Sequence, residues 1–170
     1  MVPRGLTRGA VQRPASLDEL DGRLIAALQH NGRETFRALA ARLGCSEATI
    51  RNRYARLVES GVVQVTAVTN PLGMGFDAMA MLGITVEGPS ERIADIVSTW
   101  PEAIYVVIVA GHFDVLVELV TRDRRELLEL ITRVRTLDGV VKTETFVYLD
   151  LAKQRFDFGT LVDRHHAEQA

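Results

Sequence analysis

The chain of 170 residues holds a single cysteine, Cys45, which excludes an intrachain disulfide framework and any multi-cysteine zinc site. Its longest uninterrupted apolar run, residues 103–110, is far short of a membrane span. Residues 1–16 contain three arginines and no acid, and they lack the apolar core of a secretory signal. Val2-Pro3-Arg4-Gly5 looks like part of a protease site left by expression, so this basic tail stays out of the fold reading. A Ser/His/Asp grouping, a phosphate-cradling glycine loop and metal-ligand spacing are also missing. Asp114 and Glu118 share a strand face, but four residues of strand separate them by about 13 Å, too far for cooperating carboxylates. A cytoplasmic chain with no cofactor, no metal, no membrane partner and no enzymatic activity is the expectation.

A composition of 47% hydrophobic and 25% charged residues indicates a folded chain, and the net charge of −2 hides an asymmetry. Residues 1–64 carry ten arginines and six acids, a local +4, whereas residues 65–170 carry ten basic and sixteen acidic residues, a local −6. If one part of the chain meets a polyanion, it is the first.

Residues 18–30 read as a helix, with Leu20, Leu24, Ile25 and Leu28 on one stripe and Asn31-Gly32 as its stop. A short helix over residues 36–43 turns Phe36, Leu39, Ala40 and Leu43 inward and exits at Gly44. Ser46 caps a third helix that runs to residue 58, ahead of Gly61. Ile50, Tyr54 and Leu57 make its inner side. Ala48, Asn52, Ala55 and Glu59 point directly away, flanked by Thr49, Arg51 and Arg56. Small outward residues let a backbone approach bases, and arginine and asparagine pair bidentately with guanine and adenine edges. Short helix, tight glycine turn and arginine-bearing helix form a helix-turn-helix arrangement. Double-stranded DNA is therefore the expected partner, met by Ser46, Glu47, Thr49, Arg51, Asn52, Arg53 and Arg56. For Arg53 an alternative stays open, because it leans toward the buried side and could pair with an acid of the first helix.

Residues 62–68 alternate and are β-branched, which predicts a strand leaving the helical part. The remainder reads as strand 78–86, helix 90–100, strand 104–109, strand 115–120, helix 123–137 and strand 140–149. This order, βαββαβ, is the ferredoxin-like plan, giving an α+β chain overall. The expected divisions are a basic tail 1–16, a helix-turn-helix domain 17–62, a β linker 63–76, a ferredoxin-like domain 77–150 and a tail 151–170. Helices cover one face of such a sheet, and residues 106–109 leave few polar positions, so a second copy of the chain is the economical cover for the other face. Between the halves lies Gly111-His112-Phe113-Asp114. Its amides and the Asp114 carboxylate are complementary to the two ends of a zwitterionic amino acid, but these residues alone favour a hairpin in which Asp114 only bonds nearby backbone amides.

Leu17-Asp18-Glu19-Leu20-Asp21, Gly32-Arg33, residues 39–46, Arg53-Tyr54-Ala55-Arg56-Leu57, Gly61-Val62-Val63 and the Gly-x-x-Asp turn at Gly111–Asp114 together resemble the Lrp/AsnC (feast/famine) transcription regulators. The resemblance covers about residues 17–150. It implies a DNA-binding domain followed by a regulatory domain that pairs into homodimers, which often assemble further to octamers. It also implies a small effector, usually an amino acid, held by Gly111, His112, Phe113 and Asp114, with Thr143 and Thr145 lining the same site. Tyr54 and His112 depart from the family's usual pattern. Two alternatives remain: a siroheme-decarboxylase-like enzyme of the same plan, for which only His112 is well placed, and a sensing module without DNA binding.

Overall fold

A computed structural model describes residues 17–153. The basic tail 1–16 and residues 154–170 of the expected carboxy-terminal tail lie outside the described residues. The described chain forms two compact units that divide between Ala67 and Val68.

The first unit consists of α1 (Glu19–His30), α2 (Phe36–Leu43) and α3 (Glu47–Glu59). Asp18 and Asp21 cap the start of α1 reciprocally, each carboxylate accepting the other residue's backbone N–H. Thr35 caps α2, which ends at Gly44 in the left-handed region, φ 73°. Ser46 caps α3 by accepting the Thr49 N–H at 3.1 Å. Leu24, Leu39, Ile50 and Leu57 are fully or almost fully buried where the three helices meet. Tyr54 stays at the rim, its ring 5.2 Å from that of Phe36.

The strand expected at residues 62–68 does not form. Gly61 leaves α3 in the left-handed conformation, φ 72°, and turns the chain back on the helix. The N–H groups of Val62 and Val63 both donate to the Leu57 carbonyl, and both side chains pack on the helical core. Their donors thus satisfy a helix end, so β-branched alternation there has no ladder to join.

The second unit holds β1 (Ala78–Val86), α4 (Ser90–Val97), β2 (Ala103–Ile108), β3 (Val115–Thr121), α5 (Arg124–Arg135) and β4 (Val140–Val147). The sheet is antiparallel with order β2-β3-β1-β4. Helix α4 stops three residues before the expected Trp100, since the hydroxyls of Ser98 and Thr99 donate back to the Asp95 and Ile96 carbonyls. Trp100 is buried, with the Arg133 guanidinium 4.0 Å above its ring.

Alternation splits the sheet into two faces. Ala80, Leu82, Ile84, Val115, Val117 and Leu119 form the core with Ile93, Val97, Leu127 and Val134 of the helices. Met79, Met81, Gly83, Leu116, Glu118 and Val120 look the other way, along with Tyr105 and Phe146, which are 54% and 49% exposed.

Candidate nucleic-acid interface and effector loop

Ile50 and Leu57 anchor α3 in the helical core, while Ala48, Arg51, Asn52, Ala55 and Arg56 are exposed within their unit. Asp18, Thr49, Asn52, Arg53 and Arg56 line an open depression of about 370 Å³ on this side. Arg53 Nη1 donates to Asp18 at 2.7 Å and to Asp21 at 2.8 Å, and Arg56 Nη2 donates to the second Asp21 oxygen. The pairing of Arg53 with acids of α1, left open by the sequence, is thus present. Arg51 donates to Glu47 at 2.7 Å and lies 5.1 Å from the Phe36 ring centroid. Ser46 is committed to its cap, and its hydroxyl is 2.8 Å from that of Thr49.

The Asp21 side chain is wholly buried. Burial pushes its carboxyl upward, but bonds from Arg53, Arg56 and the Asp18 N–H outweigh that and hold it below the ordinary 3.8. Asp18 is also held below 3.8, by Arg53 first and the Asp21 N–H second. Carboxyls that are more acidic in the folded state contribute stability that is complete above their unfolded value and lost as pH falls through the folded one. The α1 and α3 amides are therefore expected to lose hydrogen-exchange protection progressively below about pH 4. Asp21→Asn should flatten that dependence; an acid profile shared by wild type and variant would show that the cluster contributes nothing.

In the second unit, residues 109–114 connect β2 to β3. The Asp114 N–H donates to the Ile84 carbonyl at 2.9 Å, and its own carbonyl accepts the Val109 N–H at 3.0 Å. Its carboxylate Oδ2 accepts the Val86 N–H at 2.8 Å, beside the bulge between Thr85 and Val86. The side chain thereby continues the ladder past the end of β3 and serves a donor that the bulge releases. The carboxylate thus bonds one backbone amide, across the sheet and not within its own turn, with Oδ1 taking no hydrogen bond among the described residues.

Phe113 lies flat across β1 at Gly83, where an added Cβ would stand 2.8 Å from three ring atoms. Only glycine leaves room for that ring. Phe113 also meets Phe146 and His112 edge-on, at 6.1 and 4.8 Å between centroids. His112 Nε2 is 3.4 Å from Glu144, which accepts Lys142 Nζ at 2.6 Å. Lys142 first, and His112 less, hold the Glu144 carboxyl below its ordinary value. Thr143 and Thr145 stand opposite Ile84 and Leu82 and so share the helix-covered face, where Arg135 Nε donates to Thr143 at 2.9 Å. The loop residues His112 and Phe113 thus sit with Gly83, Glu144 and Phe146, and the two threonines lie on the other side of the sheet. Asp18, Asp21, Gly83, Glu144 and Phe146 are additions to the residues expected from sequence. A glycine inside an otherwise regular strand pattern was the signal available for Gly83.

Residues 17–58 match the model of the AsnC-type helix-turn-helix domain, and residues 79–158 match that of the Lrp/AsnC ligand binding domain. The HTH-type transcriptional regulator FL11 of Pyrococcus furiosus is 33% identical over 140 residues, covering 81% of this chain and 93% of that protein. The solved structure of the Mycobacterium tuberculosis leucine response regulatory protein LrpA superposes with a TM-score of 0.75 at 30% identity, covering 81% of this chain and 96% of that one. A transcriptional regulator of Neisseria meningitidis, solved as a complex with L-Met, shares the fold at 22% identity with a TM-score of 0.73, covering 84% and 96%. Among the described residues, no helix is long and apolar enough to cross a membrane.

Proposed function

Since the chain belongs to the Lrp/AsnC family of transcriptional regulators, we propose that α3 reads an operator in double-stranded DNA and that a small amino acid held by the second unit modulates that binding. The observation that carries this reading is the exposed side of α3, where Asn52 and two arginines line an open depression and small Ala48 and Ala55 stand beside them. Arg51 and Asn52 contact base edges; Thr49, Arg53 and Arg56 contact the flanking backbone, and Ser46 and Glu47 hold the helix start and Arg51 in place. The protein acts in the cytoplasm as a regulator and not as an enzyme.

The effector binds at Gly111, His112, Phe113 and Asp114, with the free Asp114 oxygen facing an ammonium group. The Neisseria meningitidis regulator of the same fold, solved with L-Met, supports an amino acid as the ligand class. Thr143 and Thr145 would meet a ligand only from the helix side of β4. A second copy of the chain covers the sheet face that carries Tyr105, Leu116 and Phe146 and brings two copies of α3 to a two-fold symmetric site. Further association of dimers, to an octamer, completes the assembly.

The test is selection of duplexes by the full-length chain from a randomised pool, followed by titration of the enriched duplex in the presence of each of the twenty amino acids. Enrichment of a two-fold symmetric sequence, with one amino acid changing its affinity, is the expected result. Recovery of no preferred sequence, or a chain that sediments as a monomer, would overturn the reading.

A further inference from the structure

The arginines of α3 form an unusual surface for meeting a polyanion, because each already holds a carboxylate. Arg51 is paired with Glu47, Arg53 with Asp18 and Asp21, and Arg56 with Asp21. Three arginines and three acids leave this set with no net formal charge, within an amino-terminal part that is otherwise basic. A surface selected only to attract phosphates would not carry those acids, least of all one with a wholly buried side chain.

The hydrogen-bond pattern shows what the acids supply instead. Every contact Arg53 makes with them runs through Nη1, and Arg56 uses only Nη2. An arginine has five N–H donors, so each guanidinium is pinned at one nitrogen with others left for a ligand. Both arginines line the same depression as Asn52 and Thr49. Asp21 is itself buried in α1 and accepts the Asp18 N–H. Of the two pins, Asp21 is therefore anchored in the core of the unit, and Asp18 sits half-exposed at the start of α1.

We propose that Asp18 and Asp21 are positioning residues for operator recognition: they hold Arg53 and Arg56 as hydrogen-bond donors aimed at the DNA backbone, which sets the register of α3 on the bases, while cancelling their charge, so that this face does not grip every duplex alike. The inference rests on the reading of α3 as the DNA-contacting helix. Freed of its carboxylates, an arginine would gain reach and net charge and lose direction. Affinity for unrelated DNA then rises while preference falls.

The experiment compares full-length wild type, Asp18→Asn and Asp21→Asn on two probes: the duplex enriched by the wild-type chain, and a scrambled duplex of the same length and composition. Asparagine caps a helix as well as aspartate does, so Asp18→Asn removes charge without removing the cap and keeps the test open if Asp21→Asn folds poorly. For the scrambled duplex, each variant should steepen the dependence of log affinity on log salt by about 0.9, an extra loss of about 3-fold between about 50 and 200 mM salt. Low-salt affinity for that probe should rise, the ratio of enriched to scrambled binding should fall several-fold, and Asp18→Glu should restore the wild-type slope. Equal weakening on both probes with an unchanged slope would mean that the acids only support the fold, and the proposal would be overturned. A wild-type chain that enriches no duplex would overturn the α3 reading and this inference together, which separates the two failures.

Discussion

Replacing Arg51 and Asn52 together by alanine is expected to erase the preference for the enriched duplex while the chain keeps its fold and oligomeric state. Asn52 is exposed at the depression and takes no hydrogen bond among the described residues, so its amide is available to a base edge. Arg51 is held between Glu47 and the Phe36 ring, which limits the directions its guanidinium can take. A good bidentate contact discriminates against the wrong base by about 1–3 kcal/mol, so losing both should reduce selectivity by about 30-fold or more. The structural cost is small by comparison. The Arg51–Glu47 pair is a surface i,i+4 pair and contributes well under about 1 kcal/mol, and its contact with Phe36 adds about 0.5–1 kcal/mol. Titration of both duplexes, with light scattering on the same samples, separates the two effects. Undiminished preference in the double variant would remove α3 from its assigned role.

At Asp114 the two obvious substitutions should part company. Asp114→Ala leaves the Val86 N–H without its acceptor, a loss of about 1–3 kcal/mol if no water reaches it, and it also removes the charge proposed to face an effector ammonium. Asp114→Asn retains an oxygen for Val86 and removes only the charge. Both variants should therefore lose the effector-induced rise in melting temperature, and only the alanine form should melt early without effector. If Asp114→Asn responds to the effector as wild type does, the carboxylate serves only to end the strand.

Much of this chain can be read from one dimension. The stripe through Ile50 and Leu57 was enough to expose Ala48, Asn52 and Ala55, because a helix fixes direction at about 100° per residue whatever it packs against. The limits of β1 and α2 likewise follow from local pattern and caps. Residues 62–68 show where such reading stops. Alternation describes the two faces a strand would have, but a strand also needs a ladder, and there the Leu57 carbonyl takes the first two donors. The shortened α4 has the same kind of cause, a competition between side-chain hydroxyls and the next helical turn.

Periodicity and composition determined by themselves the two-unit order, the helix-turn-helix and βαββαβ plans, and which side of α3 is free. Each of these depends on steric and solvation preferences acting within about one turn or one strand. Only the tertiary structure decided that Arg53 and Arg56 are clasped by acids 32 to 35 positions away, that Phe113 lies on Gly83, and that Thr143 and Thr145 face the helices. Those placements depend on packing angle and strand register, which are set by the fit of whole surfaces; the glycine in β1 and the inward lean of Arg53 pointed toward two of them without fixing the partner.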